Sequence, residues 1–254
     1  MASGRGRTLV SRLLSCGQAR RPFSTDGPFR HIKPSFVRRK RHYNELLIFG
    51  DRRKLIETAQ DVLSQPFQEF PRPFWEILAK RCIQSTHLFE PLELAIVARA
   101  FDAHGVELRA DLDVYGPIAE QVRRRQAFPG VAVVVLADVL PRRAAFGAVE
   151  VKELMRLLGR RAAEVMWELS ASQAVAVLDA LTRAGVTDAA LCSRVARKVL
   201  LQLEAPGALQ PEDLARAADA FAGQGHRDLP LMRGLAARCA ELAPGAPAAE
   251  RVAR

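Results

Sequence analysis

Five histidines and four cysteines are the side chains best equipped for metal or nucleophilic chemistry, and their spacing provides for neither. His31, His42, His87, His104 and His226 include no pair at metal-ligand spacing on a helix, and Cys16, Cys82, Cys192 and Cys239 are scattered without a ligand-type or disulfide-type pattern. Cys192 precedes Ser193 in no recognisable nucleophile context, and no glycine-rich loop is arranged to cradle a phosphate. Carboxylates lie mostly in segments that read as helix first turns, where capping and the helix dipole account for them. These residue types predict no catalytic centre, no bound metal and no cofactor, so the expected class is non-enzymatic.

What remains for chemistry is positive charge. The chain of 254 residues carries a formal charge of +10, and residues 1–41 account for all of it, with 11 of the 38 Lys and Arg and one of the 28 Asp and Glu. The rest holds 27 of each sign and is electrically balanced. Arg5, Arg7, Arg12, Arg20 and Arg21 precede the first acid, Asp26, in a Ser- and Thr-bearing leader of the kind that directs proteins to organelles. Arg21-Pro22-Phe23-Ser24-Thr25 resembles a matrix-processing site, which predicts a mitochondrial transit peptide at 1–23 and residence in the mitochondrial matrix. The alternative is a disordered basic tail on a nuclear or cytosolic protein. No apolar run approaches the length of a membrane span, so no transmembrane segment is expected.

A basic extension at 24–54 follows, with Arg30, Lys33, Arg38, Arg39, Lys40 and Arg41 and a second cluster at Arg52, Arg53 and Lys54. Phe29, His31, Phe36, His42 and Tyr43 are interleaved with these bases, a combination suited to phosphate contact and base stacking. These nine cations are the principal RNA-binding candidates. The competing expectation is a solvated linker with no specific partner.

The remaining chain is organised by a repeat. Segments beginning at Val97, Leu136, Val177 and Ala217 align at steps of 39, 41 and 40, and a second set beginning at Leu78, Ile118, Leu158, Val195 and Leu235 aligns at steps of 40, 40, 37 and 40. Two alternating apolar segments per unit of about 40 residues predict helix-turn-helix repeats. The expected fold is all-α, an α-solenoid of about five such repeats at 55–242, preceded by a disordered basic segment and followed by a disordered Pro- and Ala-rich tail at 243–254. The Val-rich run Gly130–Leu136 would pass for a strand alone, but its register predicts a helix buried on most sides. Pro141-Arg142-Arg143 replaces the usual glycine after it and predicts an irregular loop. Cys82 and Cys239 share a repeat position with Val122, Ala162 and Val199 and read as small core residues.

Arg81, Arg161, Lys198 and Arg238 also fall at one repeat position, with Gln121 in the divergent repeat. They form a candidate basic ridge along the second helices. A ridge can track a phosphate backbone; equally, such stems cover apolar surface while their heads stay in water.

Leu209–Gly225 (LQPEDLARAADAFAGQG) and Glu90–Gly105 (EPLELAIVARAFDAHG) resemble the helical repeats of the heptatricopeptide and octotricopeptide group of organellar proteins. The resemblance implies an α-solenoid and a role in organellar RNA stability, processing or translation. The nuclease-like RAP domain that often follows such repeats is not evident, so RNA cleavage is not implied. The resulting expectation is a non-catalytic mitochondrial protein associated with organellar RNA, foremost rRNA, within a large assembly of other proteins, as a mitochondrial ribosome component or an RNA-processing or translation factor. The alternative is a structural scaffold subunit of a respiratory complex or ATP synthase.

Overall fold

A computed structural model describes residues 51–65, 69–105, 109–143, 147–203 and 209–242, which contain ten α-helices and no strand. The expected transit peptide, the extension up to residue 50 and the tail at 243–254 lie outside the described residues. The chain divides into two compact units, Met1–Arg125 with Arg143–Ala145, and Gln126–Arg142 with Phe146–Arg254.

In the first unit, α1 (Arg52–Ser64) and α2 (Arg72–Ser85) form one pair, and α3 (Pro91–Ala103) and α4 (Tyr115–Arg124) the next. Asp51 caps α1 by accepting the Lys54 N–H at 3.1 Å, so the helix opens three residues before the expected boundary and takes in Arg52, Arg53 and Lys54 as its first turn. Pro73 and Pro91 sit in first turns, where a missing N–H leaves nothing unbonded. First helix α1 packs on first helix α3, and Leu55, Ile56, Ala59, Val62, Phe74, Trp75, Leu94, Val97 and Phe101 are buried. The buried Asp102 holds two guanidinium groups, Arg99 at 3.2 Å and Arg143 at 2.9 Å, the arrangement a desolvated charge requires.

The second unit contains α5 (Gly130–Arg143, belonging here to Arg142), α6 (Ala148–Glu164), α7 (Ala171–Arg183), α8 (Ala189–Leu203), α9 (Pro211–Gly223) and α10 (Leu229–Leu242). First helix α7 packs on first helix α9, while second helix α8 packs on both α6 and α10. The Val-rich run is helical and buried from Ala132 to Ala137, as register predicts. The helix also continues through Pro141 to Arg143, where a loop was expected. Pro141 can supply no N–H to the Ala137 carbonyl, and the Arg142 side chain donates to the next one, that of Asp138, at 2.8 Å.

The repeated glycines have a local cause. Gly185 and Gly225 follow α7 and α9 with φ of +66° and +67°, and the next N–H groups, of Val186 and His226, reach back to Leu181 and Phe221 at 2.9 and 3.0 Å. That six-to-one closure needs a left-handed residue, which glycine adopts without a Cβ clash. Gly223 has a different duty, since it is still helical and a Cβ there would lie 2.2 Å from Thr182 Cγ2.

Each unit also ties successive first helices at both ends, by polar contacts one repeat apart. Near the amino end, the third residue of the helix is an acid that accepts from a side chain 41 positions earlier: Arg52 to Glu93 in the first unit, Ser172 to Asp213 in the second. At the carboxyl end, the capping residue reaches 42 positions back: His104 Nε2 donates to the Val62 carbonyl at 3.2 Å, and Gln224 Nε2 to Thr182 Oγ1 at 2.9 Å. Gln224 further donates to Val186 O at 2.9 Å and accepts the Asp188 N–H at 3.0 Å, so one amide holds the whole α7–α8 turn. His104 is enclosed by Phe70 and Trp75, and this burial lowers its pKa below the ordinary 6.5.

One expected core position is corrected. Cys82 is buried, but Cys239 is exposed: Leu231 and Leu235 keep the buried face of α10, and no described helix covers the turn beyond them.

Two outcomes follow for stability. Gly223→Ala gains up to about 1 kcal/mol of helix propensity, but the clash with Thr182 costs about 1–3 kcal/mol. Urea denaturation should show net destabilisation that largely disappears in a Thr182→Ser background, which removes only the clashing methyl. The second concerns His104. Unfolded chains protonate this histidine near pH 6.5 and the folded chain only at lower pH, so its contribution is full above that value and is lost as pH falls below it. Denaturation at pH 7.5 and 5.5 should show this component in the wild type and its absence in His104→Gln.

Candidate nucleic-acid interface

Of the nine cations expected in the extension, Arg30, Lys33, Arg38, Arg39, Lys40 and Arg41 lie outside the described residues. The other three open α1, where the helix dipole disfavours positive charge. Arg52 offsets this by pairing with Glu93 at 2.8 Å and Glu90 at 3.4 Å, and the Glu93 hydrogen bond raises its pKa. Arg53 pairs with Glu57 at 3.0 Å on the surface, and Lys54 is exposed. Arg52 is therefore occupied in joining α1 to α3, while Arg53 and Lys54 face solvent.

The ridge position is half-buried rather than fully solvated. Arg81 lies on α2, and Arg161, Lys198 and Arg238 lie on α6, α8 and α10. The Arg161 side chain is 13% exposed and stands 3.7 Å from Glu164; Lys198 Nζ donates to the Met166 carbonyl at 2.8 Å; Arg238 pairs with Glu241. Lys198 thereby pins α8 to the turn after α6.

The neighbouring positions are the solvent-facing ones. Lys152, Arg156 and Arg160 lie at i, i+4 and i+8 on the exposed side of α6, about 6 Å apart by helical rise, and Arg197 is exposed on α8. None of these four makes an ion pair with a described residue. Arg194 is exposed too and donates one N–H to the Ala163 carbonyl at 3.0 Å. Repeat alignment did not single these five out, because only Arg160 and Arg197 share a register. The legible signals were the four-residue spacing on α6 and a run of three bases on α8 with no acid within it.

An open cavity of about 490 Å³ lies on this surface, lined by Glu153, Arg156, Arg160, Val186, Thr187 and Asp188. Asp188 is committed to the α8 amino end, accepting the Leu191 N–H at 2.9 Å. Just past α6, the Trp167 ring is 80% exposed.

The two buried thiols are not activated. Burial pushes the Cys82 thiol up to about 12, and burial with Asp188 nearby pushes Cys192 up to about 11, so both stay protonated at neutral pH. Among the described residues, no group of three or more His, Cys, Asp and Glu is placed to hold a metal, and no helix is long and apolar enough to cross a membrane. No protein-family model and no curated protein matches the chain.

The difference between the ridge and its exposed neighbours is measurable. Lys198→Met keeps the stem but leaves the Met166 carbonyl without its donor, and should cost about 0.5–1.5 kcal/mol. Arg197→Ala, one residue away, should stay within about 0.5 kcal/mol of wild type. Urea denaturation of both variants reads the contrast.

Proposed function

We propose that the protein is a non-catalytic helical-repeat protein of the mitochondrial matrix that associates with RNA, as a component of the mitochondrial ribosome or as an RNA-processing or translation factor. In this reading the helix pairs are five repeats of an α-solenoid of the heptatricopeptide and octotricopeptide type, and the basic extension is the main contact to rRNA or another organellar RNA.

The observation that carries the reading is the position of the charge. The +10 excess lies in residues 1–41, and the part that remains after a transit peptide at 1–23, residues 24–41, still carries six bases against one acid. Residues 42–254, with 27 charges of each sign, have no general attraction for polyanions, whereas a short segment dense in Arg and Lys releases counterions on contact with phosphates. The paired, mutually tied first helices suit the repeat region to docking against neighbouring proteins of an assembly.

Sedimentation of native mitochondrial extract with and without ribonuclease tests this. The protein should travel with ribosomal subunits or another RNA particle, and ribonuclease should collapse that migration. Replacing Arg38, Arg39, Lys40 and Arg41 with Ala should release it without loss of helicity. Ribonuclease-resistant migration with a membrane complex would replace this reading with that of a respiratory or ATP-synthase scaffold.

A further inference from the structure

We propose that the second helices of the second compact unit hold a single-stranded RNA segment, with phosphates against Lys152, Arg156, Arg160, Arg194 and Arg197 and one base stacked on Trp167. This rests on the RNA association proposed above and assigns it a second site, separate from the basic extension.

The first argument is an asymmetry of charge within the unit. On its first helices the bases are matched by acids: Arg142 with Asp138 at 2.8 Å, Arg183 with Asp138 and Asp179 at 3.3 Å each, and Arg216 with Asp213 at 3.9 Å. On the exposed side of α6 and α8, four bases have no acidic partner and a fifth spends one N–H on a carbonyl. The acids close by are mostly engaged: Glu164 beside Arg161, Glu168 accepting the Gly130 N–H at 2.7 Å, and Asp188 capping α8. Glu153 is the carboxylate left among the bases, at the cavity they line. Cations outside any ion pair, on one set of helices only and beside an open cavity lined by Arg156 and Arg160 with Glu153 and Asp188, leave guanidinium donors free for phosphates.

The second argument is Trp167. Its backbone is fixed, because the Glu168 N–H bonds Val165 O at 2.9 Å, Leu169 is buried, Glu168 bonds α5 and Lys198 holds the Met166 carbonyl. The ring nevertheless buries little of its own surface. A solvent-facing indole on a fixed backbone offers a base a flat partner and leaves only its own side chain to be ordered. It follows Arg160 by seven residues, in the turn that ends α6. Cations at four-residue spacing on α6, with an exposed ring in the turn after it, suit a strand that alternates phosphate and base.

The full-length protein carries its own probe, since its other tryptophan, Trp75, is buried. Titration with a 15-nucleotide oligouridylate should quench the emission of Trp167. Trp167→Leu should abolish the quenching and weaken binding about tenfold, with Trp167→Phe recovering part of the affinity. Arg156→Ala, Arg160→Ala and Arg197→Ala together should make the log–log salt slope shallower by about 2, with an unchanged circular dichroism spectrum. If the oligonucleotide binds all these variants as it binds wild type, and only the Arg38–Arg41 replacement releases it, the site is wrong while the proposed function stands. If the wild-type chain binds no RNA, both fall. Binding to anionic phosphatidylserine vesicles or an acidic peptide that competes with RNA at Trp167, at higher affinity, would overturn the RNA assignment.

Discussion

The spacing between successive first helices is the constraint on which the rest of each unit depends. Two polar contacts set it, one from the third residue of a helix to a side chain 41 positions earlier, one from its capping residue to a site 42 positions earlier. Because these contacts act at opposite ends, they fix tilt as well as distance. Apolar burial alone would leave a pair of smooth, Ala-rich helices free to slide, since area burial is non-directional. Glycine at 223 and threonine at 182 show how close the resulting approach is.

This division of labour explains what could be read from the chain. Helical pairing was legible because burial repeats: Ala, Leu and Phe return at the same register, and glycine returns where the backbone must turn left-handed. Even the Val-rich segment from Gly130, whose composition favours a strand, yields to that periodicity. Gln224 and His104 were not legible as equivalents. One position is filled by an amide in one unit and an imidazole in the other, and the shared property is a donor directed backwards, which residue type alone does not display. Cys239 has the register of a core residue, but register reports helix phase and not whether another helix covers that turn.

The basic residues illustrate the same limit more sharply. Successive positions on a helix differ by about 100°, so Arg161 and Arg160, or Lys198 and Arg197, are adjacent in sequence yet face different surroundings. Alignment finds the first of each pair because packing recurs. The solvent-facing member follows no such recurrence, and its meaning appears only when the acids around it are seen to be engaged elsewhere.

The local reach of the ties has a kinetic consequence. Within each unit, the side-chain hydrogen bonds that join one helix pair to the next span only 31 to 45 residues. Closing loops of that size costs little more chain entropy for later repeats than for the first, because the cost rises only with the logarithm of length. Such a chain has low contact order and can add helix pairs one after another instead of waiting for distant segments to meet. The same locality makes it easy to dismantle from an end, so a pulling force meets one small barrier at a time and never the whole fold at once.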